Sequence, residues 1–334
     1  MQHQPRTTVR RSMIRFAAAA AMAVAVPLCG PALAADAWPS QPVRIVVNFP
    51  PGGAADVMAR LISEPMSQAL GQPVVIENRA GANGNIGGEA VAKAAADGYT
   101  FLFSSGGVAS VNPHLYTGMS FDPAKDLQPV AAAARVPVFL VVRPDVPVAS
   151  VAEFIEYARK NPGKLTYGTP GNGSSPHLAA EMFNGAAGID TVHVPYRGAA
   201  PAMVDLLAGQ VHYMFDPGIG VQYVRSGKLK LLAVGSPERS PLFPDAPTVA
   251  ESGLAGFDAD SWFGLYAPAG VDEQIVARMN AEVNRALNMP AVRDRITEMG
   301  SVPSPMSPQE FGQKAEHDFQ RFGKIIEERG IKVQ

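Results

Sequence analysis

The sequence predicts an α/β protein of two lobes, each built from βαβ units, with the lobes joined by two crossing strands. Three observations carry that reading. Short β-branched runs alternate with amphipathic helical patterns, the signature of βαβ units with largely parallel sheets. A chain of 334 residues is long for one hydrophobic core. Two extended segments, Arg135-Val136-Pro137 and the aromatic run 261–270, sit where a chain would leave one lobe and later return to it. The expected organisation is residues 1–34 as a leader, 35–137 with 260–334 as the first lobe, and 138–259 as the second.

Residues 1–34 differ from the rest. Arg6, Arg10, Arg11 and Arg15 make a basic start without an acidic residue, 16–26 is an alanine-rich apolar run, and Ala32-Leu33-Ala34 is a small-residue processing pattern. Together these read as a secretory signal cleaved after about Ala34. The apolar run is too short to span a bilayer. The pair Arg10-Arg11 also permits twin-arginine export beside the general secretory route. Cys29 is the one cysteine, and Leu28 before it does not suit lipid attachment. Cleavage after Ala34 leaves no disulfide possible, so the mature chain is held by its core. It also leaves 24 basic against 30 acidic residues, net −6. That balance argues against nucleic acid and anionic membrane surfaces as partners.

Strands are expected at 43–47, 74–77, 100–103, 138–142, 165–167, 191–194, 211–215 and 229–234. Ser150 with Glu153 announces a helix over 151–160, which Asn161-Pro162-Gly163 ends. Helices are also expected over 273–287 and 292–299. Ser307 with Glu310, and Pro308 at the first helical position, open a long C-terminal helix. Phe311, Ala315, Phe319, Phe322 and Ile326 fall on one face of it and Gly330 stops it. These apolar stripes read as core.

Five turns share one layout, in which a strand runs into small residues and then a helix start. They contain Pro51-Gly52-Gly53-Ala54 followed by Asp56; Gly81, Gly84, Gly87 and Gly88; Ser104-Ser105-Gly106; Thr169, Gly171, Gly173 and Ser174, with Ser175 as the expected N-cap; and Tyr196-Arg197-Gly198. No lysine follows the glycines as a Walker loop requires, and the spacing is not that of a dinucleotide fingerprint. No G-x-S-x-G elbow is present, and His177 so close to Ser174 and Ser175 does not aim an imidazole at either hydroxyl. A packed or capping role suits His177 better. The mature chain has no H-E-x-x-H and no cysteine, so neither a metal nor a cofactor is expected. What the five turns share is the free N–H groups of helix N-termini, which carry about half a positive charge each. Small residues let a ligand approach that backbone, so such turns facing one cleft would hold carboxylates without arginine or lysine. Asp56 either complements the helix dipole from the first turn or faces the ligand; the residues leave both open.

In this order, the blocks "FPPGGAADVMAR", "GQPVVIENRAGANGNIGGEAVAKAAADGYT", "GTPGNGSSPHLAAE", "VPYRGAAPAMVDLLAGQV", "LLAVGSPERSPLFPDAPTVAESG" and "WFGLYAPAG" resemble the Bug family, or TctC-type, receptors of tripartite tricarboxylate transporters. The resemblance runs from about Trp38 to the C-terminus. It implies a periplasmic binding protein fold of type II, no enzymatic activity, and a monomer in the periplasm that delivers a small carboxylate to membrane components of the transporter. The ligand would be a di- or tricarboxylate, an acidic amino acid or an aromatic carboxylate. It further implies that Pro51, Gly52, Gly53, Ala54 and Asp56, with Ser104, Ser105 and Gly106, grip one carboxylate through backbone N–H groups and ordered waters. Thr169, Gly171, Gly173, Ser174, Ser175 and His177, with Tyr196 and Asp216, would set specificity. Asn48 stands where such receptors often carry an apolar residue or proline. Signalling to a sensor kinase, or hydrolysis in the secreted compartment, are the alternatives.

Overall fold

The computed structural model describes residues 38–332, so the leader features, Cys29 and cleavage at Ala34 lie outside the described residues. The chain divides into a unit ending at Trp38 and a unit from Pro39 onward. The second unit carries the strands β1 (Val43–Val47), β2 (Val74–Asn78), β3 (Thr100–Ser105), β4 (Leu127–Val136), β5 (Phe139–Val142), β6 (Thr166–Thr169), β7 (Val192–Pro195), β8 (Tyr213–Asp216), β9 (Lys230–Val234), β10 (Ser261–Pro268) and β11 (Val302–Pro303). Its helices are α1 (Ala54–Leu70), α2 (Asn85–Ala92), α3 (Gly107–Ser110), α4 (Asn112–Leu115), α5 (Pro123–Asp126), α6 (Val151–Lys160), α7 (Ser175–Ala187), α8 (Ala199–Ala208), α9 (Val221–Arg225), α10 (Glu273–Leu287), α11 (Pro290–Glu298) and α12 (Pro308–Arg329).

The strands form two sheets, ordered β11-β4-β10-β3-β1-β2 and β7-β6-β8-β5-β9. β1, β2 and β3 are mutually parallel, as are β6, β7 and β8. Neither sheet is largely parallel, however. β10 runs antiparallel to β3 and β4, and β5 antiparallel to β8 and β9. The reason is topological: a strand arriving from the other sheet enters at the end where the parallel strands finish, so it must run against them.

The capping chemistry explains most helix starts. Ser307 accepts from the Glu310 amide while the Glu310 carboxylate accepts from Ser307, a complete capping box. Ser150 caps α6 through the Glu153 amide, but the Glu153 carboxylate reaches back to the Ala149 amide instead. The cap of α7 is Ser174, not Ser175 as expected, because the Ser174 hydroxyl is the one that accepts from the His177 amide.

Like the two-residue β11, β4 is a strand that the sequence did not announce. Its Leu-Gln-Pro-Val-Ala-Ala-Ala-Ala-Arg-Val run lacks the β-branched alternation that marks a strand. Ala131, Ala132, Ala133 and Ala134 are nonetheless buried, and small side chains suit a central strand covered closely by helices. Opposite them, a Cβ on Gly264 would lie 2.2 Å from the Phe311 ring of α12 and 2.8 Å from the Ala131 oxygen. The second sheet is covered by a larger apolar cluster that includes Phe154, Tyr167, Phe183, Tyr213 and Phe215. α12 also reaches that half of the molecule. Phe322 and Ile326 pack with Leu115 and with Leu178 of α7, and Arg329 pairs with Glu181 at 3.1 Å.

Candidate functional site

The register brings the C-terminal ends of the parallel strands to the places where the chain crosses between sheets. Ser105, at the end of β3, lies opposite Phe263, and Val136, at the end of β4, opposite Ser261. In the second sheet Asp216, ending β8, lies opposite Phe139 at the start of β5. The two crossings are tied together, since the Gly235 amide donates to the Val138 oxygen and the Ala259 amide to the Gly235 oxygen, at 2.7 and 2.8 Å. The ends of β3 and β8 thus lie beside the crossings between the sheets.

In the first lobe a buried side chain at the end of β1 joins the loop after β2 to the end of β3. The Asn48 amide donates to the Gly84 oxygen at 3.1 Å and to the Ser104 hydroxyl at 2.9 Å. The backbone closes tightly around it: a Cβ on Gly84 would lie 2.3 Å from Asn48 Nδ2, and one on Gly87 2.6 Å from its Cβ. Ser104 passes its own proton to the Ser105 oxygen, so its hydroxyl is fully used. The Gly106 amide, expected to face a ligand, donates instead to the Trp262 oxygen at 2.7 Å. Ser105 is half-buried and its hydroxyl lies outside these bonds.

Asp56 resolves toward the loop. Its carboxylate, buried at the start of α1, accepts from the Gly52 amide at 2.9 Å, from Arg60 at 3.0 Å and from Asn78 at 2.9 Å. Burial alone would raise its pKa; the donors from Arg60, Gly52 and Asn78 outweigh that and hold it below the usual carboxylate range. The same Asn78 amide donates to the Phe49 oxygen at 3.1 Å. The first loop is thus clamped at both ends. The amides of Ala54, Ala55 and Asp56 have no acceptor among the described residues, as expected of a first helical turn.

The second-lobe residues divide in the same way. Thr169 is buried and its hydroxyl meets His193 Nε2 at 2.6 Å. His177 is buried, and its Nδ1 accepts from the Gly173 amide at 3.0 Å. Burial pushes the pKa of His177 and of His193 down to about 4, so both rings are neutral. The Gly171 amide points back to Thr169, and the Ser174 hydroxyl donates to the Gly171 oxygen at 2.7 Å. Tyr196 gives its hydroxyl proton to Asp205 at 2.7 Å; burial and that carboxylate push its pKa up to about 12. These bonds build the loops; the His177 proton is left on Nε2, for which no partner is found among the described residues. Ser175 is half-buried and outside this network. Asp216 is intermediate. One oxygen accepts from the Gly218 and Gly220 amides at 3.0 and 2.8 Å, while the other, also buried, has no partner. Burial pushes its pKa up to about 6 in spite of those backbone donors.

Asn83 was passed over in the sequence. It has a positive φ of 51°, donates to Asn112 at 2.8 Å, and its Nδ2 would lie 3.6 Å from a Cβ on Gly173. It brings the second loop of one lobe against the fourth loop of the other. The signal available was a non-glycine residue inside a glycine cluster, where asparagine tolerates left-handed backbone. The larger hollow on the second lobe, about 660 Å³ and lined by Ser150, Leu231, Phe243 and Pro247, is not formed by these loops. Among the described residues no group of histidine, cysteine or acidic side chains is placed to hold a metal.

Two mixed α/β sheets joined by paired crossings, with a clamped loop and free amides at the start of α1, are the architecture of a two-lobed solute-binding protein. The chain belongs to the tripartite tricarboxylate transporter receptor family, whose sequence model matches residues 58–331. This is a family of binding receptors and not of enzymes. Protein BugT of Bordetella pertussis is 36% identical over 326 residues, covering 97% of this chain and 100% of that one. Among solved structures, an R. palustris protein with adipate is 38% identical, with a TM-score of 0.82, covering 89% of this chain and 100% of the other. MatC from Rhodopseudomonas palustris with bound malate is 36% identical, with a TM-score of 0.77, covering 86% and 99%.

Proposed function

We propose that this protein is a periplasmic receptor that captures a small dicarboxylate between its lobes and hands it to the membrane components of a tripartite tricarboxylate transporter. The observation that carries the reading is the clamped first loop. Asp56, Asn78 and Asn48 fix its backbone, and the amides of Ala54, Ala55 and Asp56 remain unpaired at the positive end of a 17-residue helix. A carboxylate placed there gains charge-assisted bonds to donors already in position. Ser105 and Ser175 supply hydroxyls from either side of the gap. From the second lobe, the unpartnered oxygen of Asp216, which accepts and does not donate, suits a hydroxyl on the ligand.

Adipate and malate, seen in the two related structures, are both dicarboxylates of different length. The free amides of the first lobe suit one carboxylate there, with the remainder of the ligand free to vary in length. The leader expected at residues 1–34 supports export to the periplasm, and no helix among the described residues is long and apolar enough to cross a membrane. Native mass spectrometry of protein purified without refolding, followed by thermal unfolding across dicarboxylates of graded length, tests the reading. Stabilisation grows as RT ln(1 + [L]/Kd), about 2.7 kcal/mol at a hundredfold excess over Kd. A protein that retains no acid and responds to no carboxylate overturns it.

A further inference from the structure

We propose that Gly218 and Gly300 form the pivot on which the two lobes turn, which makes Gly218 a positioning residue for ligand capture. The inference rests on the binding reading above. Gly218 follows β8 of the second sheet; Gly300 lies between α11 and β11, whose strand belongs to the first sheet. A Cβ added to Gly218 would sit 2.5 Å from the Met299 oxygen and 3.9 Å from Gly300 Cα. One added to Gly300 would sit 3.5 Å from Gly218 Cα and 3.2 Å from the Phe139 ring. The lobes thus meet here backbone on backbone with no side chain between them. Both glycines hold left-handed φ, +107° and +82°, so each turn is shaped for the approach.

The contact lies beside the first crossing. Val302, just past Gly300, pairs with Arg135 near the end of β4, and Phe139, which touches Gly300, opens β5. Points next to the connecting strands move least when two lobes rotate, so a contact there persists through closure while the far edges of the gap separate. Asp216 connects the pivot to the site. Its bonded oxygen holds the Gly218 and Gly220 amides, and its other oxygen lies unpartnered at the strand end bordering the gap. A methyl group on Gly218 meets the Met299 oxygen and wedges the lobes; one on Gly300 meets Gly218 in ordinary contact and presses instead on the Phe139 ring of the second sheet.

The test compares Gly218→Ala and Gly300→Ala with Gly253→Ala. Gly253 has a φ of +110° and nothing within 4 Å of an added Cβ, so it imposes the same backbone strain without the contact. Small-angle scattering of the free proteins reads lobe separation, and calorimetric titration with adipate and malate reads capture. Both pivot variants are expected to shift the scattering curve relative to wild type and Gly253→Ala, and to weaken dicarboxylate binding at least about fivefold. Scattering curves and affinities indistinguishable from those of Gly253→Ala overturn the proposal. If Gly218→Ala does not fold, Gly300→Ala, which presses on Phe139 of the second sheet from the opposite lobe, decides alone. If neither acid binds the wild type, scattering still reads the pivot, so the two readings fail separately.

Discussion

The His177 ring lies flat on that of His193, with centroids 4.0 Å apart and planes 11° from parallel. Each ring holds one part of the same loop, His177 through the Gly173 amide and His193 through the Thr169 hydroxyl. The pair shapes the loop after β6 from beneath, as neutral rings.

Stability should record that neutrality. The unfolded imidazole titrates at about 6.5, whereas burial places both folded values at about 4. Between those limits the unfolded chain binds protons that the folded chain refuses. The contribution of each ring is therefore intact above the unfolded value and declines as pH falls toward the folded one. His177→Gln removes one such site, so the stability gap between wild type and variant, from urea unfolding, narrows on going from neutral pH to about 4.5. The slope is at most about 1.4 kcal/mol per pH unit. A gap that does not vary with pH would show that the folded His177 ring binds protons as the unfolded one does.

Asp56→Ala is expected to release the first loop. It leaves the Gly52 amide and Asn78 without their acceptor, at a cost of about 1–3 kcal/mol in unfolding free energy. Dicarboxylate affinity falls with it, because the amides that follow lose their fixed direction. Calorimetric titration beside chemical denaturation checks both; loss of stability with unchanged affinity would detach this loop from the site.

Arg329 and Glu181 should respond unequally. Arg329 is partly exposed, so Arg329→Ala costs under about 1 kcal/mol. Glu181 also accepts the proton of the buried Tyr167 hydroxyl, which burial, aided by that carboxylate, holds above its ordinary pKa. Glu181→Ala strands that hydroxyl and costs about 1–3 kcal/mol. Equal losses in thermal unfolding would mean that the ion pair, and not the hydroxyl, dominates.

Gly264→Ala meets the Phe311 ring and should destabilise by about 1–3 kcal/mol through overpacking. Phe311→Leu makes room, so the double variant should lose less than the sum of the single ones. Strict additivity in a double-mutant cycle would place the strain in the Ala131 backbone instead.

Much of this protein was legible from neighbouring residues alone. The strand at Val43–Val47, the helices Val151–Lys160 and Glu273–Leu287, and the box at Ser307 and Glu310 follow from patterns contained within a few residues. So does the placing of small-residue loops at strand ends. The alanine strand Leu127–Val136 was not legible, because its reason is the helix laid across it and not its own propensity.

By itself the sequence determined the capping of α6 and α12 and that the chain alternates strand with helix, because each of these depends on side chains acting over one turn of backbone. Only the tertiary structure decided which amides stay free. Gly106 finds the Trp262 oxygen, Ser104 finds Asn48, and Thr169 finds His193. A hydrogen bond is settled by which groups arrive within about 3 Å of one another. In this fold those groups come from strands far apart in the chain, which local chemistry cannot bring together.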